Sequence, residues 1–130
     1  MMSEIKESEV QRQITDYLET KGVFYLRLNS GSVFIENRRV KLSPEGTPDL
    51  FMLVDGKPIF IELKRSEKVH KTWKNQYQQF LKTSWQTPYN TRSVMQHKQM
   101  ERITEAGGIC ISHWSLDGLL EDLKSLGINL

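Results

Sequence analysis

The chain contains one cysteine, Cys110, and no run of about twenty apolar residues. The sequence therefore offers neither a disulfide framework nor a membrane-spanning helix. It has no signal-peptide pattern, and we expect a reducing, intracellular and cytoplasmic setting with no membrane partner. Cys110 itself lies in the apolar stretch 109–111 and is predicted to be a core residue.

Repeats, low-complexity tracts and linkers rich in proline, glycine and serine are also missing. The 130 residues predict a single domain, 1–130, long enough to bury a core without covalent staples. There is no glycine-rich phosphate loop and no nucleophile elbow. His70, His97 and His113 have no metal-ligand spacing, so no catalytic role is assigned to them.

Two carboxylates and an amine stand out against these absences. The run Gly46-Thr47-Pro48-Asp49 leads into an apolar strand candidate, and Glu62-Leu63-Lys64 ends the next one. Between them, residues 55 and 56 are an Asp-Gly turn signal, which predicts a β-hairpin. Because side chains alternate along a strand, Glu62 and Lys64 share one face and Leu63 takes the other. We therefore expect the acids and the amine to meet at one end of a sheet.

These groups suit phosphodiester hydrolysis. Asp49 and Glu62 can bind Mg²⁺ or Mn²⁺, with the carbonyl of Leu63 as a further ligand. Lys64 can orient the attacking water or stabilise the developing negative charge. Each fragment also has an ordinary interpretation, as a turn exit or as a solvated Glu-x-Lys strand face. The apolar run 59–61 before Glu62 favours the metal-site interpretation, since charged residues that end a buried strand require partners.

The pattern Pro48-Asp49 and Glu62-x-Lys64 resembles the PD-(D/E)XK nuclease signature. Flanking segments are similar to the virus-type replication-repair nuclease (VRR-NUC) branch of that superfamily, over about residues 7–123. Four features carry the likeness: Glu7 in the first helix, the Arg-x-Asn-x-Gly segment 27–31, the Ser-x-x-Gln segment 93–96, and Gly107-Gly108.

The resemblance implies a restriction-endonuclease-like α/β sandwich and a metal-dependent DNA endonuclease. It adds Glu7 as a metal ligand and catalytic residue, and Gln96 as a residue lining the site. Glu7 also lies on the core-facing stripe of its helix, although Glu4 and Glu9 compete with it and acids are common in a first helical turn. The resemblance further implies branched DNA such as four-way junctions as substrate, a homodimer, and cleavage to a 3′-hydroxyl and a 5′-phosphate. A short chain of this kind fits a phage or prophage source.

One segment departs from the family pattern. Residues 65–92 separate the Glu-x-Lys strand from the Ser-x-x-Gln helix and form a basic, aromatic insertion. Its apolar residues follow helical spacing: Trp73, Tyr77, Phe80, Leu81 and Trp85. We favour packing of these aromatics on the domain or on a second copy, with a nucleic-acid clamp as the alternative.

Positive charge is concentrated in the same region. Residues 65–102 hold eight Lys or Arg against two acids, a net of +6, so the remainder of the chain sums to −4. Such a segment suits a phosphate backbone, and a solvated helix face is the alternative. The predicted nucleic-acid-binding residues are Arg27, Asn29, Ser30, Arg65, Lys68, Lys71, Lys74, Arg92 and Ser93. Arg38, Arg39 and Lys41 are predicted either to add a phosphate contact or to form a charged hairpin edge.

The order of elements predicts a mixed central β-sheet flanked by helices. Helices are expected at 3–20, 71–85, 93–106 and 115–126, with Ser3 capping the first and Ser115 or Asp117 the last. Strands are expected at 23–28 and 109–114, and hairpins at 32–42 and 49–64.

Two other functions remain open from sequence alone. A DNA-binding or assembly module could keep the fold without catalysis, but the complete set Asp49, Glu62 and Lys64 favours the enzyme. A protein-interaction module that uses the aromatic helix would show no salt-dependent affinity for DNA. The nuclease and the DNA-binding module would both show it.

Overall fold

The computed structural model describes residues 5–28, 32–41, 43–83 and 91–130. Its helices are α1 (Glu7–Thr20), α2 (Glu67–Lys82), α3 (Arg92–Glu105) and α4 (Leu116–Ser125). Its strands are β1 (Phe24–Arg27), β2 (Ser32–Ile35), β3 (Arg38–Lys41), β4 (Leu50–Val54), β5 (Lys57–Leu63) and β6 (Ile109–His113).

The main sheet has four strands in the order β1-β4-β5-β6. The first three run antiparallel, and β6 runs parallel to β5. The predicted mixed sheet flanked by helices is thus confirmed. The tight turn between β4 and β5 falls at Asp55 and Gly56, both with positive φ, as the sequence predicts.

One face of the sheet packs against α1 and α4 and forms the main core. Alternate residues of β4, β5 and β6 point into it together with apolar stripes from both helices. The core residues are Val10, Ile14, Leu18, Leu50, Met52, Ile59, Ile61, Leu63, Ile111, Leu119, Leu123 and Ile128. Each fully buried aliphatic side chain contributes about 1.5–3 kcal/mol. Because Leu63 is completely buried here, its neighbours Glu62 and Lys64 must project toward the opposite face.

Helices α2 and α3 pack together beside the opposite face, near β6. Helix α2 begins four residues earlier than expected because the Ser66 hydroxyl caps it by accepting from the Val69 N–H at 3.2 Å. Trp73, Tyr77 and Phe80 are buried within the domain, as our preferred interpretation of the aromatic stripe expects, whereas Leu81 is exposed. The stripe therefore does not present a continuous aromatic surface to a second copy. Trp85 lies outside the described residues.

Several boundaries and one burial prediction differ from expectation. Helix α1 begins at Glu7, and Ser3 lies outside the described residues. Ser115 rather than Asp117 caps α4, accepting from the Gly118 N–H. Cys110 is only half-buried, because strand alternation places it on the α3 side of β6 while Ile111 enters the core. Its thiol is hydrogen-bonded to the Met100 carbonyl.

Strands β2 and β3 form a separate two-stranded hairpin, as predicted. Its turn residues, Glu36 and Asn37, both have positive φ, the conformation of a type I′ turn. No helix within the described ranges is long and apolar enough to cross a membrane.

Candidate active site

Asp49 lies at the end of the sheet, directly before β4. In the β4–β5 register Leu50 pairs with Ile61, so Asp49 stands opposite Glu62. The Asp49 Oδ2 atom accepts a hydrogen bond of 2.7 Å from the Leu63 N–H, and its carbonyl accepts one of 2.8 Å from the Leu28 N–H. Asp49 is therefore hydrogen-bonded to the residue after β1 and to the last residue of β5. It lies beside the Glu-x-Lys segment.

The turn before Asp49 is fixed by a close approach to α3. Gly46 has φ of +83°, a conformation that side chains rarely adopt. A Cβ atom at Gly46 would lie 2.4 Å from the carbonyl oxygen of Met95. Only glycine fits there, and the contact sets α3 against the loop that carries Asp49.

Glu62 occupies the centre of the site, with 1% of its surface exposed. Its Oε1 atom accepts from Gln96 Nε2 at 3.1 Å and forms an ion pair of 3.4 Å with Lys64 Nζ. Its Oε2 atom is buried without a hydrogen-bond partner among the described residues. A buried polar oxygen without a hydrogen-bond partner costs about 1–3 kcal/mol.

Gln96 connects Glu62 to α2. Its Oε1 atom accepts from Trp73 Nε1 at 2.8 Å and from Lys64 Nζ at 3.3 Å. The indole N–H can only donate, so it fixes the carbonyl end of the amide toward Trp73 and the NH₂ end toward Glu62. Gln96, which the sequence predicts to line the site, therefore contacts both Glu62 and Lys64.

Trp73 is the residue at this site that sequence analysis missed. Besides its hydrogen bond to Gln96, its ring lies 4.9 Å from Lys64 Nζ, within cation–π range. The His97 ring stacks on Trp73 at 3.9 Å and on Tyr77 at 4.5 Å, and its Nδ1–H donates to the Ser93 carbonyl. Helical spacing indicated that Trp73 faces inward. Nothing local indicated that it would reach a polar site.

The acids of the site are electrostatically coupled. Burial raises the pKa of Glu62 to about 8, and the negative charge of Asp49 adds to the effect. The pKa of Asp49 is also raised by burial, against the opposing effect of the Leu63 N–H and Lys64. The pKa of Glu7 is raised by burial and by Asp49. Glu7 therefore lies near enough to Asp49 for their charges to interact, but among the described residues it does not form a three-acid group with Asp49 and Glu62.

The predicted basic residues of segment 65–74 divide into two groups. Arg65 and Lys68 join Lys64 and Trp73 in lining a cavity of about 320 Å³ beside the acids. A second cavity of about 310 Å³, by His70 and Trp114, is lined by Lys71 and Lys74. The first group adjoins the candidate site directly.

The remaining predicted nucleic-acid contacts have different positions. Arg92 is exposed at the start of α3, and its charge partly opposes the rise in the pKa values of Glu7 and Asp49. Ser93 is buried, so its side chain is not on the surface. Arg27 donates to the Thr15 hydroxyl at 3.1 Å on the α1 side of the sheet. Asn29 and Ser30 lie outside the described residues.

The oxygen atoms of the site determine which metal ion it could hold. Within the part of the chain that the structure describes, no three His, Cys, Asp or Glu side chains form a group that could hold a metal. Two carboxylates, Asp49 and Glu62, are adjacent to the Leu63 backbone, and Glu62 Oε2 lacks a partner. Carboxylate and carbonyl oxygens are the ligands that Mg²⁺ and Mn²⁺ prefer, and Mg²⁺ usually keeps several waters. The residues therefore fit a metal bound by two carboxylates.

Comparison with protein-family models finds no match to this sequence, and comparison with curated proteins likewise finds none.

Proposed function

We propose that the chain is a Mg²⁺- or Mn²⁺-dependent endonuclease of the PD-(D/E)XK type that hydrolyses phosphodiester bonds in DNA. The observation that carries the proposal is Glu62 Oε2, a buried carboxylate oxygen without a partner beside Asp49 and Lys64. Buried polar groups normally have a hydrogen-bond partner, so a metal ligand role for this oxygen supports the proposal.

In this proposal Asp49, Glu62 and the Leu63 carbonyl hold the metal. The sequence also predicts Glu7 as a ligand, but among the described residues it does not form a three-acid group with Asp49 and Glu62, so its role is to add negative charge near the site. When bound, the metal would neutralise charge on the scissile phosphate and lower the pKa of the attacking water. The Asp49 carboxylate is held in place by the Leu63 N–H, so one of its oxygens is already committed to the protein.

Lys64 provides the positive charge on the protein side. Its ammonium group contacts Glu62 and Gln96 and lies over the Trp73 ring, so its position is fixed before substrate arrives. A preorganised donor of this kind stabilises charge that develops in the transition state, and removing one typically lowers the rate about 10²–10³-fold. Gln96 lines the site and maintains the orientation of both Glu62 and Lys64.

The architecture supports a restriction-endonuclease-like fold. An N-terminal helix, antiparallel strands, the helix α3, a parallel strand and a last helix follow the order that the VRR-NUC resemblance implies, whereas α2 belongs to the insertion that departs from it. DNA as substrate, including branched forms, is supported by the cations that adjoin the site, Arg65 and Lys68. The homodimer and a phage source belong to the same proposal and rest on the resemblance alone.

The proposal is tested by cleavage of linear, single-stranded, flapped and four-way-junction DNAs with Mg²⁺ or Mn²⁺. The wild-type chain is compared with Asp49→Ala, with Lys64→Ala and with Lys57→Ala, an exposed lysine at the far end of β5. We expect metal-dependent cutting that Asp49→Ala and Lys64→Ala abolish and Lys57→Ala leaves intact. Salt-sensitive DNA binding without cutting under any metal would instead identify a catalytically silent DNA-binding module.

A further inference from the structure

The β2–β3 hairpin has no role in the site described so far, yet the chain leaves and rejoins the main sheet next to that site. The chain leaves the main sheet after β1 at Leu28, whose N–H is bonded to the Asp49 carbonyl, and returns to the sheet at Asp49 itself. In the sheet register, the last residue of β1 and the first of β4 lie level with Ile61, next to Glu62. The hairpin is therefore inserted at the catalytic end of the sheet.

The side chains of residues 34–40 are all exposed. Phe34 is 78% exposed and Ile35 is 55% exposed, and Arg38 and Arg39 are exposed as well. In the described part of the chain, β2 and β3 pack on each other and on no other helix or strand. Among the described residues Phe34 and Ile35 are not buried against the domain, so their apolar surface is available to a partner.

The two faces of the hairpin have the same composition. Phe34 pairs across the strands with Arg39, and Ile35 pairs with Arg38. Cross-strand partners share a face, so each face presents an apolar side chain beside a guanidinium group. Arginine is the side chain best suited to phosphate, and exposed aromatic or aliphatic side chains insert between base steps. A two-stranded ribbon also fits the grooves of duplex DNA.

We propose that this hairpin is a DNA-binding arm, in which Arg38 and Arg39 contact backbone phosphates and Phe34 contacts an unstacked base. The proposal rests on the nuclease function proposed above and names a substrate-binding element for it. Charge favours DNA over a second copy as the occupant. Residues 32–41 hold Arg38, Arg39 and Lys41 against one acid, Glu36, so two hairpins packed on each other would bring like net charges together, whereas a polyanion would attract them.

The test measures DNA affinity in EDTA, so that binding is observed without cleavage. The full chain is titrated against a fluorescent branched duplex over a series of salt concentrations. Replacing Arg38 and Arg39 together with alanine should reduce the salt slope by roughly two, since each phosphate contact contributes about 0.9. Lys57→Ala, at the opposite end of the sheet, is the matched control and should leave the slope unchanged.

Phe34 is tested separately with DNA that carries 2-aminopurine at the branch point. Phe34→Ala should weaken binding roughly 5- to 150-fold, the effect of about 1–3 kcal/mol per stacked base, and should abolish the 2-aminopurine response. Phe34→Trp should restore both. All variants should melt as the wild-type protein does, because the side chains are exposed.

Unchanged affinity and slope in the hairpin variants would overturn the proposal. So would a Phe34→Ala protein that loses dimerisation in sedimentation but binds DNA normally. Hairpin-dependent binding by a wild-type chain that cuts no DNA would refute the nuclease and uphold the arm. Cleavage that the hairpin substitutions leave unchanged would uphold the nuclease and refute the DNA-binding arm.

Discussion

Replacement of Glu62 with glutamine should have opposite effects on stability and on metal binding. Glutamine has nearly the same shape, and its Oε1 atom can still accept from Gln96 and Lys64. It removes the charge whose burial raises the pKa of Glu62 to about 8. The substitution therefore separates the cost of a buried carboxylate from its use as a ligand.

The sign and size of the effect follow from the pKa. The pKa is about 8 in the folded chain and about 4.5 when unfolded, so the folded state binds the proton more tightly. Protonated Glu62 therefore stabilises the folded state. This contribution to the free energy of unfolding is fully present below pH 4.5 and is lost as the pH rises through 8. At 1.36 kcal/mol per pKa unit, about 3 kcal/mol is lost between pH 4.5 and pH 7. Without metal, Glu62→Gln should therefore gain about 3 kcal/mol relative to wild type over that interval.

Urea unfolding in EDTA at several pH values measures this difference. Repeating the titration with Mn²⁺ measures the ligand contribution, which is about 2.7 kcal/mol at a metal concentration 100 times the Kd. Wild type should gain that stability and Glu62→Gln should not. Glu105→Gln, at an exposed acid on α3, is the control. A Glu62→Gln protein that shows no pH-dependent gain, or that Mn²⁺ stabilises as it does wild type, would refute the reasoning.

Three further substitutions test other parts of the structure. Burial and the charge of Lys74 lower the pKa of His70 to about 4, so its contribution is present above pH 6.5 and is lost as pH falls to 4. Wild type should lose about 1 kcal/mol relative to His70→Gln over that range in urea unfolding, because solvent screens part of the charge interactions; parallel pH profiles would contradict this. Gly46→Ala should destabilise the chain by about 2 kcal/mol or more and lower cleavage, because its Cβ would meet the Met95 carbonyl; an unchanged melting temperature would contradict that contact. Trp73→Phe keeps a ring but removes the N–H donor to Gln96, so kcat should fall roughly five- to tenfold at unchanged KM; a change confined to KM would assign Trp73 to substrate binding instead.

The features that sequence predicted well are local ones. The Asp55-Gly56 turn sets the β4–β5 register, and that register alone places Asp49 opposite Glu62. Strand alternation likewise places Leu63 in the core and Glu62 on the other face. These relations extend over 14 residues or fewer and depend on backbone geometry.

The features that sequence missed depend on how distant elements pack. Trp73 meets Gln96 across 23 residues because α2 and α3 lie side by side, a relation that no local pattern encodes. The side chains of α2 follow the predicted stripe, but their burial against α3 could not be distinguished from an exposed dimer surface. Cys110 was assigned to the core because an apolar run does not show which of its residues faces inward.

The central claim is that Lys64 and the two carboxylates form a catalytic set. Its most direct test is the single-turnover rate of DNA cleavage with Mn²⁺ by wild type and by Lys64→Met, in which an apolar side chain of similar length replaces the buried lysine. Both proteins are first matched for folding by circular dichroism and for DNA affinity in EDTA. We predict a loss of at least about 100-fold in rate with affinity nearly unchanged. Equal rates for the two proteins, or no cutting by wild type, would contradict the account.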